Sequence, residues 1–213
     1  MKKIVFGLGM VCIWLTLFIM NRTIEISSSS IEEHPIATVY LSDNTSFKVE
    51  LYPEEAPNTV NNFIYLGISG YYNGTMISRI IPNYLVQIGD PIGNGKGFPG
   101  YYIKSECKYN GVNNHLKHKR GTISMARGKE FNTEGSQFFV LLEDDWQLDG
   151  MYAAFGRVID GMEHLDALQT SGIYEDYTPV KPVYIQSVTI QNYETSYAPP
   201  EILTVQEVLA QND

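Results

Sequence analysis

A chain of 213 residues with 44% hydrophobic and 18% charged side chains can bury a real core and is too apolar to be disordered. With 15 basic against 24 acidic residues, its formal charge of −9 repels phosphate backbones, so nucleic acid is not an expected partner. Its two cysteines, Cys12 in an apolar run and Cys107 alone far downstream, rule out a disulfide framework.

Residues 4–20 form a run of seventeen uncharged, mostly apolar residues behind Lys2 and Lys3. Segment 1–21 therefore reads as an export signal or a membrane anchor. Ile19, Met20 and Asn21 are bulky or polar and offer no small-residue cleavage site, which favours an uncleaved anchor over a secreted, cleaved form. The leading lysines would stay in the cytoplasm and leave the domain outside the cell membrane. Residues 22–213 then carry 13 basic and 24 acidic side chains, a charge of −11. Residues 22–35, with serines at 27–30, show no hydrophobic periodicity and read as a flexible tether.

The domain is expected at 36–193. Residues 36–41 and 46–52, joined by Ser42-Asp43-Asn44-Thr45, predict a β-hairpin, with apolar and polar residues alternating in its second strand. At 57–67, Pro57 near the start, Gly67 near the end and Val60, Phe63, Ile64 and Leu66 between them predict a helix covering an apolar opening. Further strands are expected at 75–81, 84–89, 121–125, 137–141, 153–158 and 183–191, with a second helix at 162–169. Short strands without a strand–helix–strand rhythm argue for an antiparallel barrel. In the extension, 194–213, residues 201–210 suit a short amphipathic helix without an evident target.

Two stretches carry the functional signal. Met76 to Asp90 reads Met-Ile-Ser-Arg-Ile-Ile-Pro-Asn-Tyr-Leu-Val-Gln-Ile-Gly-Asp, and Asn132 to Phe139 reads Asn-Thr-Glu-Gly-Ser-Gln-Phe-Phe. They set Arg79 and Gln87 among apolar and aromatic residues, with no nucleophile, metal cluster or phosphate loop nearby, so chemistry there would be non-covalent. Both resemble the signature segments of the cyclophilins, the peptidyl-prolyl cis/trans isomerases. Two more blocks follow the family's order: the glycine-rich 89–101 running into Ile103-Lys104-Ser105-Glu106, and Leu148-Asp149-Gly150 with Phe155-Gly156-Arg157-Val158.

The resemblance implies a mainly β fold, a closed eight-stranded antiparallel barrel capped by two helices, preceded here by the apolar N-terminal helix. It implies acceleration of X-Pro rotation, with proline-containing polypeptides as partners, no cofactor and no metal. Arg79 would face the proline nitrogen. Tyr84, Leu85, Phe139 and Leu148 would form the proline pocket, Gln87 and Gln137 would serve the substrate backbone, and Ala126 and Arg127 would border the groove. Tyr152 stands where a histidine is common, Gln147 where a tryptophan is common with Trp146 one place earlier, and Arg127 where asparagine is frequent. These departures argue against strong binding of cyclosporin-like macrocycles. They also motivate an alternative, a catalytically weak proline-peptide adaptor or holding chaperone. The expected role is assisting the folding of exported proteins, and a monomer is the default.

Other patterns are weaker. Gly95 to Gly100 fits a dinucleotide fingerprint formally, but Pro99 and the lack of a following helix point to a turn-rich loop. His115 and His118 are read as part of a solvated loop, and Glu143-Asp144-Asp145 as an exposed acidic turn. Ser124 and Ser136 lack a hydrolase elbow and a histidine in motif context.

Overall fold

The computed structural model of the chain describes residues 34–191 and 199–211. Strands β1 (Ile36–Leu41) and β2 (Ser46–Leu51) form the expected hairpin, with Phe47, Val49 and Leu51 turned into the core while Ser46, Lys48 and Glu50 stay partly wet. Helix α1 (Pro57–Ile68) follows, then β3 (Met76–Ile81), β4 (Leu85–Asp90), β5 (Thr122–Met125), β6 (Phe138–Leu141), β7 (Ala154–Asp160), helix α2 (Met162–Leu168), β8 (Ile185–Gln191) and helix α3 (Val205–Ala210). All eight strands join one antiparallel sheet in the order β3-β4-β6-β5-β7-β2-β1-β8.

The closed barrel expected from the sequence is corrected to a curled sheet that does not close. Its edge strands β3 and β8 approach through the single bridge Met76–Tyr184, flanked by bonds from Gly74 N to Ile185 O, Ile77 N to Val183 O and Ile185 N to Thr75 O. The ladder does not run on because, past that bridge, β3 is faced by a loop: Ile80 N donates to Tyr177 O at 2.8 Å. The described residues hold three α-helices: the two expected in the domain, α1 and α2, and α3, within the span expected to be helical in the extension. The N-terminal apolar run falls outside the described residues, among which no helix is long and apolar enough to cross a membrane.

The concave face is filled by aliphatic side chains and an aromatic group in which Phe63 of α1 meets Tyr72, Phe138 and Phe155 at centroid distances of 5.3–5.4 Å. Gly67 lets α1 lie close to the sheet, since a Cβ there would stand 3.1 Å from Val188 Cγ1. No side chain at Ala56 caps this helix. Its exposed N–H groups are instead met by the distant carboxylate of Glu106, which accepts from Asn58 N, Thr59 N and Thr59 Oγ1. A carboxylate at a helix start satisfies orphan donors and opposes the positive end of the dipole.

Candidate functional site

Sheet register builds the site. Arg79 on β3 pairs with Gln87 on β4, Gln87 with Phe139 on β6, and Phe139 with Ser124 on β5, so four side chains form one row across the convex face. Residues directly opposite in an antiparallel ladder share a face. The neighbouring row is Ile81, Leu85 and Leu141. These strands are thus apolar on both faces. The outer patch forms a small second core of Leu85, Phe139 and Leu141, with Ile81, Tyr84, Ala126, Leu148 and Tyr152 packed on it.

The structure therefore gathers Tyr84, Leu85, Phe139, Leu148 and Tyr152 into one apolar cluster, with Arg79 and Gln87 in the row that runs through Phe139. The Tyr152 ring meets Phe139 edge-on at 5.7 Å. Tyr84 donates its hydroxyl to Asp145 Oδ2 at 2.8 Å, and burial, helped by that carboxylate, pushes its pKa up to about 12. Gln147 and Trp146 stand in an exposed 3₁₀ turn, Trp146 at 77% exposure, so neither lines the pocket.

Arg79 is exposed, and among the described residues its guanidinium has no hydrogen bond or ion pair. Its partner is the Tyr177 ring, 5.6 Å from centroid to Cζ. Tyr177 is held in the left-handed region (φ 68°), with its carbonyl bonded to Ile80 N. Sequence reasoning missed Tyr177 because it lies about a hundred residues downstream in a loop without periodicity.

Arg127 spends its guanidinium on the protein. It donates to the carbonyls of Gly128, Lys129 and Met151 and lies 4.6 Å from both the Phe131 and Tyr152 ring centroids. It thereby braces Tyr152 against Phe139.

Beneath Phe139 one sequence reading is corrected. His118 is buried, not in a solvated loop, and its ring stacks on Phe139 at 6.4 Å. A histidine does meet Ser124: His118 Nε2 lies 3.1 Å from Ser124 Oγ, and Nδ1 lies 3.2 Å from Asp149 Oδ1. This line imitates a hydrolase triad, yet Ser124 is 0% exposed, so no substrate carbonyl reaches it. It acts as the pocket's floor. Burial holds the imidazole below the usual histidine range, against the opposing pull of Asp149.

Beside the pocket opens a cavity of about 300 Å³, lined by Gln87, Gln137, Ala126, Arg127, Phe98 and Tyr102 among others. Gln87 Nε2 donates to Gln137 Oε1 at 2.7 Å, and Gln137 Nε2 donates to Gly97 O at 2.8 Å. Gly97 is fixed in turn by the buried Asp90, whose carboxylate accepts from Ile92 N, Gly95 N and Gly97 N. The glycine-rich loop thus wraps a carboxylate of its own chain. A methyl group on Gly97 would overlap that carboxylate and come within 2.7 Å of Pro91 Cδ. Gly97→Ala is expected to cost about 1–3 kcal/mol, lowering Tm by roughly 3–10 °C and raising peptide KM several-fold. Thermal unfolding beside KM checks this.

The site thus sets an apolar cluster and a cation without a hydrogen bond or ion pair among the described residues beside a polar cavity. Residues 36–190 match the model of the family described as cyclophilin type peptidyl-prolyl cis-trans isomerase/CLD, and the chain belongs to that family. Peptidyl-prolyl cis-trans isomerase-like 3 of Gallus gallus is 41% identical over 157 residues, covering 73% of this chain and 96% of that protein. Peptidyl-prolyl cis-trans isomerase B of Bacillus subtilis is 39% identical over 137 residues, covering 64% and 92%. A crystal structure of a cyclophilin type isomerase from Cryptosporidium parvum aligns with a TM-score of 0.68 at 32% identity, over 76% of this chain and 99% of that one. A second, in the presence of the dipeptide Ala-Pro, gives 0.67 at 34% identity, over 73% and 98%. The enzyme class is peptidyl-prolyl cis/trans isomerase.

Proposed function

We propose that the chain seats the proline of an extended substrate in the slot of Leu85, Phe139, Leu148 and Tyr152 and rotates the preceding bond against Arg79. The barrier to that rotation is about 18–20 kcal/mol, because resonance gives the C–N bond double-bond character. Donation from Arg79 to the nitrogen as it becomes pyramidal localises the lone pair and removes that resonance. Arginine keeps its proton throughout. A dry slot helps further, since water stabilises the planar, more polar amide. An acceleration of about a hundred thousandfold needs roughly 7 kcal/mol, within reach of one charge-assisted contact plus an oriented, water-poor site.

The observation that carries this reading is the Arg79 guanidinium, without a hydrogen bond or ion pair among the described residues and with only β4 between its strand and that of Phe139. An arginine locked to a carboxylate would have to break that pair before acting. Tyr177 orients it without using up its donors, because a ring face holds a cation through its quadrupole. Tyr177→Ala is expected to lower kcat/KM roughly 2–5-fold, matching about 0.5–1 kcal/mol for an exposed cation–π contact, with KM almost unchanged. Tyr177→Phe keeps the ring and should restore the rate.

NMR exchange of a short X-Pro peptide tests the whole reading. Enhanced exchange supports it; binding without enhanced exchange would leave an adaptor. In the cell we place the domain outside the membrane, held by the apolar run 4–20, where it would help exported proteins past slow proline steps of tens of seconds. The charge pattern of that run supports this placement. Recovery of the native protein in the soluble cytoplasmic fraction would overturn it.

A further inference from the structure

The family match ends at residue 190, yet the extension does not hang free. Asn58 Nδ2 donates to Glu201 O at 2.9 Å and Glu201 N returns a bond to Asn58 Oδ1 at 2.8 Å, so a side-chain amide serves as a strand partner. Two residues on, Leu203 forms an antiparallel bridge with Tyr102, N to O in both directions at 2.7 and 2.9 Å. A capping box between Thr204 and Glu207 then starts α3, which buries Val208. At the end, Asn132 Nδ2 donates to Gln211 Oε1 at 2.9 Å.

Of these anchoring residues Tyr102 lines the side cavity, and Asn132 directly precedes Thr133, which also lines it. The Tyr102 ring lines it, stacked on Phe98 at 5.0 Å and 12°. Asn132 opens the run whose Thr133, Gly135 and Gln137 also line it. Asn132 is itself pinned, with φ 62°, its N bonded to Ser105 Oγ and its Oδ1 accepting from Ser105 N and Asn110 Nδ2. No residue of 199–211 lines the cavity, so the extension grips it from behind without filling it. A six-residue helix has no stability of its own in water. Whatever holds it docked is shared with the cavity walls, and that coupling acts in both directions.

We propose that residues 201–211 form a strap that sets the shape of the side cavity, and through it which side chains flanking the proline the enzyme accepts. This rests on the peptide groove proposed above. The cavity and the apolar cluster share Ala126, and Gln87 of the cavity pairs with Phe139 of the cluster, so a flanking residue of the same peptide is the cavity's natural occupant.

The test uses the full chain and its Leu203→Pro variant, which loses the N–H that Tyr102 O accepts, with Leu203→Ala as the control that keeps it. Peptides sharing one proline but carrying alanine, phenylalanine or arginine in the preceding positions are titrated for affinity and followed for exchange. In Leu203→Pro the alanine peptide should stay within about 2-fold of the unmodified chain, while KM and Kd for the bulky peptides shift at least 5-fold. Leu203→Ala should behave as the unmodified chain. Asn58→Ala, which frees Glu201, should shift the same peptides in the same direction. If every peptide changes by one common factor, or none changes while amide exchange shows α3 released, the strap does not shape the cavity. Affinities remain readable without enhanced exchange, so failure of the isomerase mechanism is distinguishable from failure of the strap.

Discussion

Arg79→Ala is expected to lower kcat/KM for exchange of a short X-Pro peptide by at least about 100-fold, the loss seen when one preorganised donor to a developing charge is removed. Peptide affinity should fall only a few-fold, because in the binding mode proposed above Phe139, Leu85 and Leu148 still hold the ring. Tm should move little, since the side chain is exposed and its partner is a single ring face. Arg79→Lys is also expected to fail, as an ammonium cannot reproduce a planar fork lying along a tyrosine ring. NMR exchange with matched peptide titrations reads all of this. An alanine variant with unreduced exchange would remove Arg79 from the chemistry and shift the burden to the dry slot.

The second large effect concerns Glu134, inside the second signature stretch. It is fully buried, with both carboxylate oxygens unpartnered among the described residues, and its backbone carbonyl accepts from Ile103 N at 2.9 Å. Burial pushes its pKa up to about 8; the Ser105 hydroxyl and the Arg127 charge pull the other way, yet no hydrogen bond of normal length reaches either oxygen. The folded carboxyl thus stays protonated where the unfolded one, near 4.5, has ionised. Between those values the folded state binds more protons, so the contribution of Glu134 to stability is full below about pH 4.5 and is lost as pH rises toward about 8. The loss is on the order of 5 kcal/mol.

Glu134→Gln keeps the shape and removes the titration, so it should flatten that decline and be the more stable protein at pH 9. His118 acts on the opposite flank: with its folded pKa below 6.5, its contribution is whole above 6.5 and lost as pH falls through the folded value. The slope between about pH 6.5 and 8 is therefore the clean measure of Glu134. Chemical denaturation across that range checks it, and equal slopes for the two proteins would refute it.

Much of this architecture was legible in the chain. Alternation in Phe47, Val49 and Leu51, and proline and glycine bracketing Val60 to Leu66, marked the hairpin and α1 within a residue or two. The signature stretches pointed to the strands that the structure brings together. What could not be read was register. Arg79 faces Gln87 through an irregular pairing between Ile77 and Arg79, and no local pattern announces a row crossing β3, β4, β6 and β5. Nor did local pattern expose His118, whose burial comes from Ser124 and Asp149 on separate segments, or the open edge between β3 and β8. Tyr177, Tyr102 and the extension's contacts are likewise long-range.

That open edge has a dynamic consequence. Arg79 stands on the strand whose outer side is stitched to β8 by scattered bonds, while Phe139 lies on β6, flanked on both sides by continuous ladders. Partial opening there costs less than global unfolding and frees one wall of the slot while leaving the other in place. Amide protons of Ile77 and Ile80 should therefore exchange with solvent well before those of β5 and β6. A bound proline peptide, spanning both sides, would slow the early set selectively, so the strand bearing Arg79 yields while the strand bearing Phe139 keeps time.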